Sequence, residues 1–286
     1  MRARPSLPTA PRPRLAPILR SVRLIILALA ATGLPAACGG GGSSGKTSSR
    51  SGTTIASRQS ATSSGTAASE APKPPPPRPT HTSCRSVVYI GDSTSDGEVM
   101  PDYVPNPRLR LPAQLAKVGV GITYPEVSGA RSIVETFKGI PNGATVAQDH
   151  VAAGYRGCWI LALGTNEAAD VAAGSEVGLT ARIARMMSII GNQPVMWVNA
   201  ITLPGAPQYY GEDGMRRWNE DLLAACPKHP LMRVFDWAAH AKPQWFIPDG
   251  VHYTTPGYVA RTRLIARGLV HAFPRGEPAS VTCLVR

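Results

Sequence analysis

From residue 86 onward, short apolar runs alternate with longer stretches whose apolar residues recur at helical spacing. Val87-Val88-Tyr89-Ile90 reads as a buried strand ended by Gly91, and Leu111, Leu115 and Val118 as a helix stopped by Gly119. Ile122 to Val127 is a second strand, followed by a short helix predicted around Ile133, Val134 and Phe137. Trp159 to Leu163 is a third strand. Leu179, Ile183, Met186, Met187 and Ile190 then mark one face of an amphipathic helix, with Gly191 as its stop. Met196 to Ala200 and Leu231 to Phe235 are the fourth and fifth strands, separated by a helix over Trp218 to Ala225. Thr255-Pro256, an N-cap followed by proline, opens a last helix carrying Val259, Leu264, Leu269 and Val270. Strands that are apolar throughout and alternate with helices predict an α/β fold, a parallel sheet covered on both faces.

The first 80 residues lack this rhythm. Six arginines (Arg2, Arg4, Arg12, Arg14, Arg20, Arg23) precede an apolar stretch from Leu24 to Ala37, the layout of a secretory signal. The stretch is too short for a comfortable membrane span. It ends Leu34-Pro35-Ala36-Ala37-Cys38 and runs into four glycines, which resembles the cleavage and lipid-attachment box of bacterial lipoproteins, with Pro35 where an aliphatic residue is usual. Segment 1–38 is therefore expected to be a signal peptide with lipidation at Cys38, the alternatives being plain secretion or an uncleaved anchor. Residues 39–80, rich in Gly, Ser, Thr and finally Pro, bury too little apolar surface to offset their ordering entropy and are expected to be a disordered linker. A domain over 81–286 follows.

Charge changes the picture by its position. Of 30 Lys+Arg and 18 Asp+Glu, eleven basic residues and the single acid Glu70 fall in 1–80, a net of +10. The other 206 residues hold 19 basic and 17 acidic side chains, a net of +2. A nearly neutral domain argues against a nucleic-acid partner, which needs clustered cations on a folded face. A hydrophobic content of 43% excludes global disorder.

Apart from Cys38, the cysteines are Cys84, Cys158, Cys226 and Cys283, an even number open to three pairings. None has zinc-ligand spacing. In an exported chain two disulfides are expected. Cys84 and Cys158 each precede a predicted strand, so their sulfurs can meet if those strands are neighbours.

Ligands of such sheets sit at the C-terminal strand ends. There the chain places Gly91-Asp92-Ser93-Thr94, Ser128-Gly129-Ala130-Arg131 and Gly164-Thr165-Asn166-Glu167, with Asp249-Gly250-Val251-His252 before the last helix. Each alone is an ordinary turn. Together, in this order, they resemble the SGNH (GDSL-type) hydrolase family, over most of residues 86–272. The first block lacks the usual Leu after Ser, and the third has Glu167 where Asp is commoner. No G-x-S-x-G elbow, phosphate-binding loop or His-Glu-x-x-His occurs.

The resemblance implies a three-layer α/β/α sandwich with a central five-stranded, flavodoxin-like sheet. It implies a catalytic set of Ser93, His252 and Asp249, an oxyanion hole of Ser93, Gly129 and Asn166, and no cofactor or metal. The activity it implies is hydrolysis of short O-acyl esters through an acyl-serine. The alternatives are an O-acyltransferase with the same triad and a non-catalytic envelope-binding lipoprotein. Family and export together suggest an acylated carbohydrate or lipid of the cell envelope as substrate. The protein is then expected to be a monomer on the outer face of the membrane, lipid-anchored, or else secreted. Arg131 is expected in a surface salt bridge or against an anionic substrate group, and Trp245 and Phe246 as loop packing or a sugar-stacking surface. The stretches 96–110 and 201–214 look like pocket walls.

Overall fold

The computed structural model describes residues 79–286. The signal-like segment, Cys38 and the linker up to residue 78 lie outside the described residues. Six strands form one parallel sheet: β1 (Ser86–Gly91), β2 (Ile122–Val127), β3 (Cys158–Ala162), β4 (Val195–Val198), β5 (Met232–Phe235) and β6 (Leu284–Val285), in the order β2-β1-β3-β4-β5-β6. Between them lie α1 (Asp96–Val99), α2 (Leu111–Lys117), α3 (Gly143–Ala152), α4 (Thr165–Ala172), α5 (Leu179–Ile190), α6 (Glu212–Ala225), α7 (Trp237–His240) and α8 (Thr255–Ala272).

Alternation within each strand divides the core in two. Val88, Ile90, Trp159, Leu161, Trp197 and Val234 face one way, against Val146, Ile183, Met186, Trp218 and Leu222 of α3, α5 and α6. Val87, Tyr89, Ile160, Met196 and Phe235 face the other way, against Leu111, Leu115, Tyr258, Ile265 and Leu269 of α2 and α8. Both faces of the central strands are thus dry, which is why β1 and β3 to β5 carry almost no polar residue. The edge strand β2 is the exception: Ile122 and Tyr124 are exposed, and Pro125, which has no N–H to give, is tolerated because one side of β2 is unpaired.

The three-layer α/β/α expectation holds, with one more strand than expected. β6 is two residues long and follows the last helix, too short for any periodic signal. The helix expected around Ile133 to Phe137 does not form. Ile133 is buried, Phe137 is exposed, and Lys138 and Gly139 turn back with positive φ, so the chain reaches helical geometry only at α3, which Asn142 caps by accepting from Thr145 N. The cap of α8 is Thr254, accepting from Gly257 N, not Thr255, whose hydroxyl donates to Tyr103 O at 2.8 Å.

β1 is the switch point of the fold. The connection leaving it passes through α2 on one face, whereas the one leaving its neighbour β3 passes through α4 and α5 on the other. The diverging loops leave a crevice at the C-terminal ends of these strands.

The opposite end of the sheet is stapled. Cys84 is bonded to Cys158 across the starts of β1 and β3, which are neighbours, and Cys226 to Cys283, just before β6. The bridges close loops of 74 and 57 residues, and cross-links of that span restrict the unfolded chain by about 2–4 kcal/mol each. Replacing Cys226 and Cys283 together by serine is expected to lower unfolding free energy by about 2–4 kcal/mol in chemical denaturation. An unchanged midpoint would show that the bridge contributes nothing.

Candidate active site

β1 ends at Gly91, and the chain turns at once into a single 3-10 turn, Ser93–Ser95. Asp92 caps that turn, accepting from Thr94 N at 2.8 Å and Thr94 Oγ1 at 2.7 Å. Ser93 is thereby lifted to the top of the sheet, half-buried, while its neighbours Thr94 and Ser95 point inward. Below it lies a polar network in an otherwise apolar layer. Arg261 of α8 donates to Glu98 Oε1 at 2.6 Å, and its NH1 lies 3.2 Å from Ser95 Oγ and 3.3 Å from Thr94 O. Tyr89 OH bonds both Glu98 and Ser95 Oγ. The Arg261 guanidinium also lies over the Trp237 and Tyr253 rings.

The other half of the site comes from the turn before α8. Asp249 Oδ1 accepts from Val251 N and His252 N, both at 2.9 Å, and Oδ2 meets His252 Nδ1 at 2.7 Å. A carboxylate only accepts, so Nδ1 carries the proton and Nε2 is left as an acceptor. Nε2 lies 2.8 Å from Ser93 Oγ. Burial pushes the Asp249 carboxyl up, but the His252 ring and the two backbone N–H groups outweigh it and hold it below its ordinary range. Ser93, His252 and Asp249, separated by up to 159 residues, form one continuous hydrogen-bonded chain.

Gly129 follows β2, at the same end of the sheet. A Cβ there would find its nearest neighbour, Asp96 Oδ2, at 3.9 Å, so the protein itself leaves open space beside this backbone. Asn166 sits in the first turn of α4, after β3, with its Nδ2 donating to Arg131 O at 3.0 Å. Gly164 makes that turn possible: its φ is +148°, and a Cβ would lie 2.2 Å from the buried Trp218 Nε1.

The structure also settles the positions of several side chains that the sequence left open or did not predict. Among the described residues Arg131 has no salt-bridge partner. It is buried and donates to the Glu126 carbonyl; burial lowers its pKa, and the carboxylates of Glu126, Asp92 and Asp96 oppose that. Trp245 stacks on Trp237 at 5.9 Å, and Phe246 packs on Tyr253 at 4.8 Å, so both are loop packing. Tyr210, in the stretch after β4, donates from its hydroxyl to Asn166 Oδ1 at 3.2 Å. Asp96 lies beside Gly129 with Oδ1 buried and without a partner among the described residues; burial, then the Asp92 charge, raise its pKa to about 6. Arg261 had one legible signal, a charge in register with Tyr258, Ile265 and Leu269 on the buried face of α8.

No family model and no curated protein matches the chain. Solved structures do. The lipase/acylhydrolase from Enterococcus faecalis superposes with a TM-score of 0.53 at 17% identity, covering 68% of this chain and 100% of that one. The chain shares the fold of that structure. A carbohydrate acetylesterase from Sinorhizobium meliloti (TM-score 0.48, 19% identity, 66% of this chain and 100% of that one) is also similar. So is the C-terminal catalytic domain of a peptidoglycan O-acetyltransferase from Streptococcus pneumoniae (0.47, 13%, 70% and 99%). The fold assignment rests on the first.

Within this fold, Glu167 adjoins the site residue Asn166 and is fully buried, accepting from Ile133 N at 2.7 Å. Burial, then the charge of Asp92, lift its pKa from an ordinary 4.5 to about 8. The folded protein therefore holds a proton there that the unfolded chain has lost. Stability from this group is complete below about pH 4.5 and is lost as pH rises to about 8. Asp96 acts with the same sign over a lower window, up to about pH 6. Glu167→Gln is expected to flatten the decline in unfolding free energy between pH 6 and 8; an identical decline in the variant would show that Glu167 is ionised in the folded protein.

Proposed function

We propose that the chain is a serine ester hydrolase of the SGNH class. The observation that carries this reading is the Ser93–His252–Asp249 chain of hydrogen bonds at 2.8 and 2.7 Å, standing at the strand ends of an acylhydrolase fold. A serine hydroxyl is a weak nucleophile at neutral pH and needs a base within hydrogen-bond reach. In the proposed reaction Ser93 Oγ attacks the ester carbonyl while His252 Nε2 takes its proton, and Asp249 stabilises the resulting imidazolium. The tetrahedral oxyanion is met by the Ser93 N–H, the Gly129 N–H and the Asn166 Nδ2. Collapse breaks the ester C–O bond, His252 returns the proton to the leaving alkoxide, and an acyl-serine remains. Water, deprotonated by His252, then attacks that acyl group and releases the acid and free Ser93.

We place the substrate among short O-acyl esters of a cell-envelope glycan or glycolipid. Supporting this are the signal-like segment with its Cys38 box, and the two disulfides, which suit an oxidising compartment. On this reading the protein works outside the cell, lipid-anchored or secreted. The same acyl-serine can pass its acyl group to a sugar hydroxyl, so acceptor-dependent product without hydrolysis would make the protein a transferase.

The test is turnover of acetyl and longer-chain aryl esters by the wild-type protein, Ser93→Ala and His252→Ala. The wild type is expected to prefer the short acyl group, and each variant to lose at least about 1,000-fold in kcat/KM. Ester turnover that survives Ser93→Ala would remove Ser93 as nucleophile. Retained glycan binding with no turnover by the wild type would leave a binding protein on an acylhydrolase fold.

A further inference from the structure

We infer that Tyr210 is a positioning residue for the oxyanion site: with the Arg131 carbonyl fixing which way the Asn166 amide faces, the Tyr210 hydroxyl holds that amide in place with Nδ2 toward the site. The inference deepens the serine-hydrolase reading and rests on it.

A primary amide is nearly symmetric in shape, so its orientation is set by its partners. Asn166 has one on each side. The Arg131 carbonyl, 3.0 Å from Nδ2, can only accept. The Tyr210 hydroxyl, 3.2 Å from Oδ1, donates. A flip would set two oxygen acceptors, Oδ1 and the Arg131 carbonyl, face to face. One Nδ2 hydrogen is used on Arg131, and the second remains for an oxyanion. A donor on Oδ1 also polarises the amide and strengthens its N–H groups as donors. Burial raises the Tyr210 phenol above its ordinary pKa, consistent with a hydroxyl that stays protonated.

The loop that carries Tyr210 is built to hold it. Thr202, itself buried, donates to Tyr210 O at 2.7 Å, and Tyr210 N donates to Pro207 O at 2.9 Å. Tyr209 has a φ of +76°, the left-handed region that aromatic side chains rarely adopt, and that reversal immediately precedes Tyr210. Leu203 N of the same loop donates to Gly250 O at 2.8 Å. The loop after β4 thus touches the Asp249–His252 turn at one end and the Asn166 amide at the other. It couples the base to the oxyanion donor without contributing an atom to either.

The experiment is Tyr210→Phe, which deletes one hydroxyl, alone and on top of Asn166→Ala, in the full-length protein. Expected for the single variant is a loss of about tenfold in kcat with KM unchanged, well below the about 100–1,000-fold expected when the Asn166 donor itself is removed. Added to Asn166→Ala, Tyr210→Phe is expected to cost nothing further, because its effect passes through the amide. A purely structural tyrosine would instead subtract the same factor in both backgrounds. The Asn166 side-chain ¹⁵N–¹H resonances read the positioning without catalysis and are expected to move in Tyr210→Phe. Unmoved resonances, an unchanged kcat, or equal losses in both backgrounds overturn the inference. A wild type without ester turnover instead sinks the hydrolase reading, and the resonances then decide the amide clamp alone.

Discussion

The site depends on joining the first loop of the domain to its last helix. Ser93 and His252 stand 159 residues apart, and neither the sheet ladder nor a disulfide ties their segments directly. Hydrogen bonds from Thr255 to Tyr103 O and from Thr262 to Leu109 O contribute, and the most deeply buried link is the pair of Glu98 in α1 and Arg261 in α8. Glu98 is wholly buried and Arg261 almost so; the guanidinium reaches past the carboxylate to Ser95 Oγ and the Thr94 carbonyl. A pair this deep gains little net stability over a well-packed apolar one, but losing one partner strands the other, at about 3–5 kcal/mol. That penalty makes the alignment of α8 with the serine turn nearly all-or-none, which suits a 2.8 Å contact that works only when formed.

The disulfides act at the other end of the sheet. Both close where strands begin, below the core, whereas every residue of the candidate site lies where strands finish. One end is stapled covalently and the other is held by charge and hydrogen bonds. The polar end also carries unusual carboxyls. Asp92, Glu98 and Glu167 are fully buried with raised pKa values, all chiefly through desolvation, and Asp96 is raised at the rim. Glu167, lifted to about 8, keeps its proton at neutral pH, which limits negative charge beneath a site where, on the hydrolase reading, an oxyanion must form.

The strands were legible because they are buried on both faces. Continuous apolar runs closed by Gly91, Ser128-Gly129 and Gly164 locate β1, β2 and β3, and the loops after them, to within a residue or so. The amphipathic helix α5 was legible to the residue, Leu179–Ile190, for the converse reason: one face is dry and the other wet. What escaped gave a weak signal for different reasons: β6 is two residues long, α4 is only eight, and α3 is built largely of small residues with little apolar contrast to mark a face. In the candidate site, the blocks at strand ends and before the last helix were singled out by their order and the family resemblance it carries, and the structure brings Ser93, His252 and Asp249 into one hydrogen-bonded chain. Asp96, Glu98 and Tyr210 fall in the stretches 96–110 and 201–214 expected as pocket walls, and Arg261 left a trace as a charge on an apolar stripe, but their partners were not legible, because they meet through tertiary packing that no local spacing encodes.

The most direct test of the central claim, that His252 activates Ser93, is covalent trapping. Exposing the protein to a fluorophosphonate and mapping the adduct by mass spectrometry is predicted to give one modification, on Ser93, at a rate that collapses in His252→Ala. Wild-type protein that is folded yet takes up no label, or takes it up on another residue, would contradict the account.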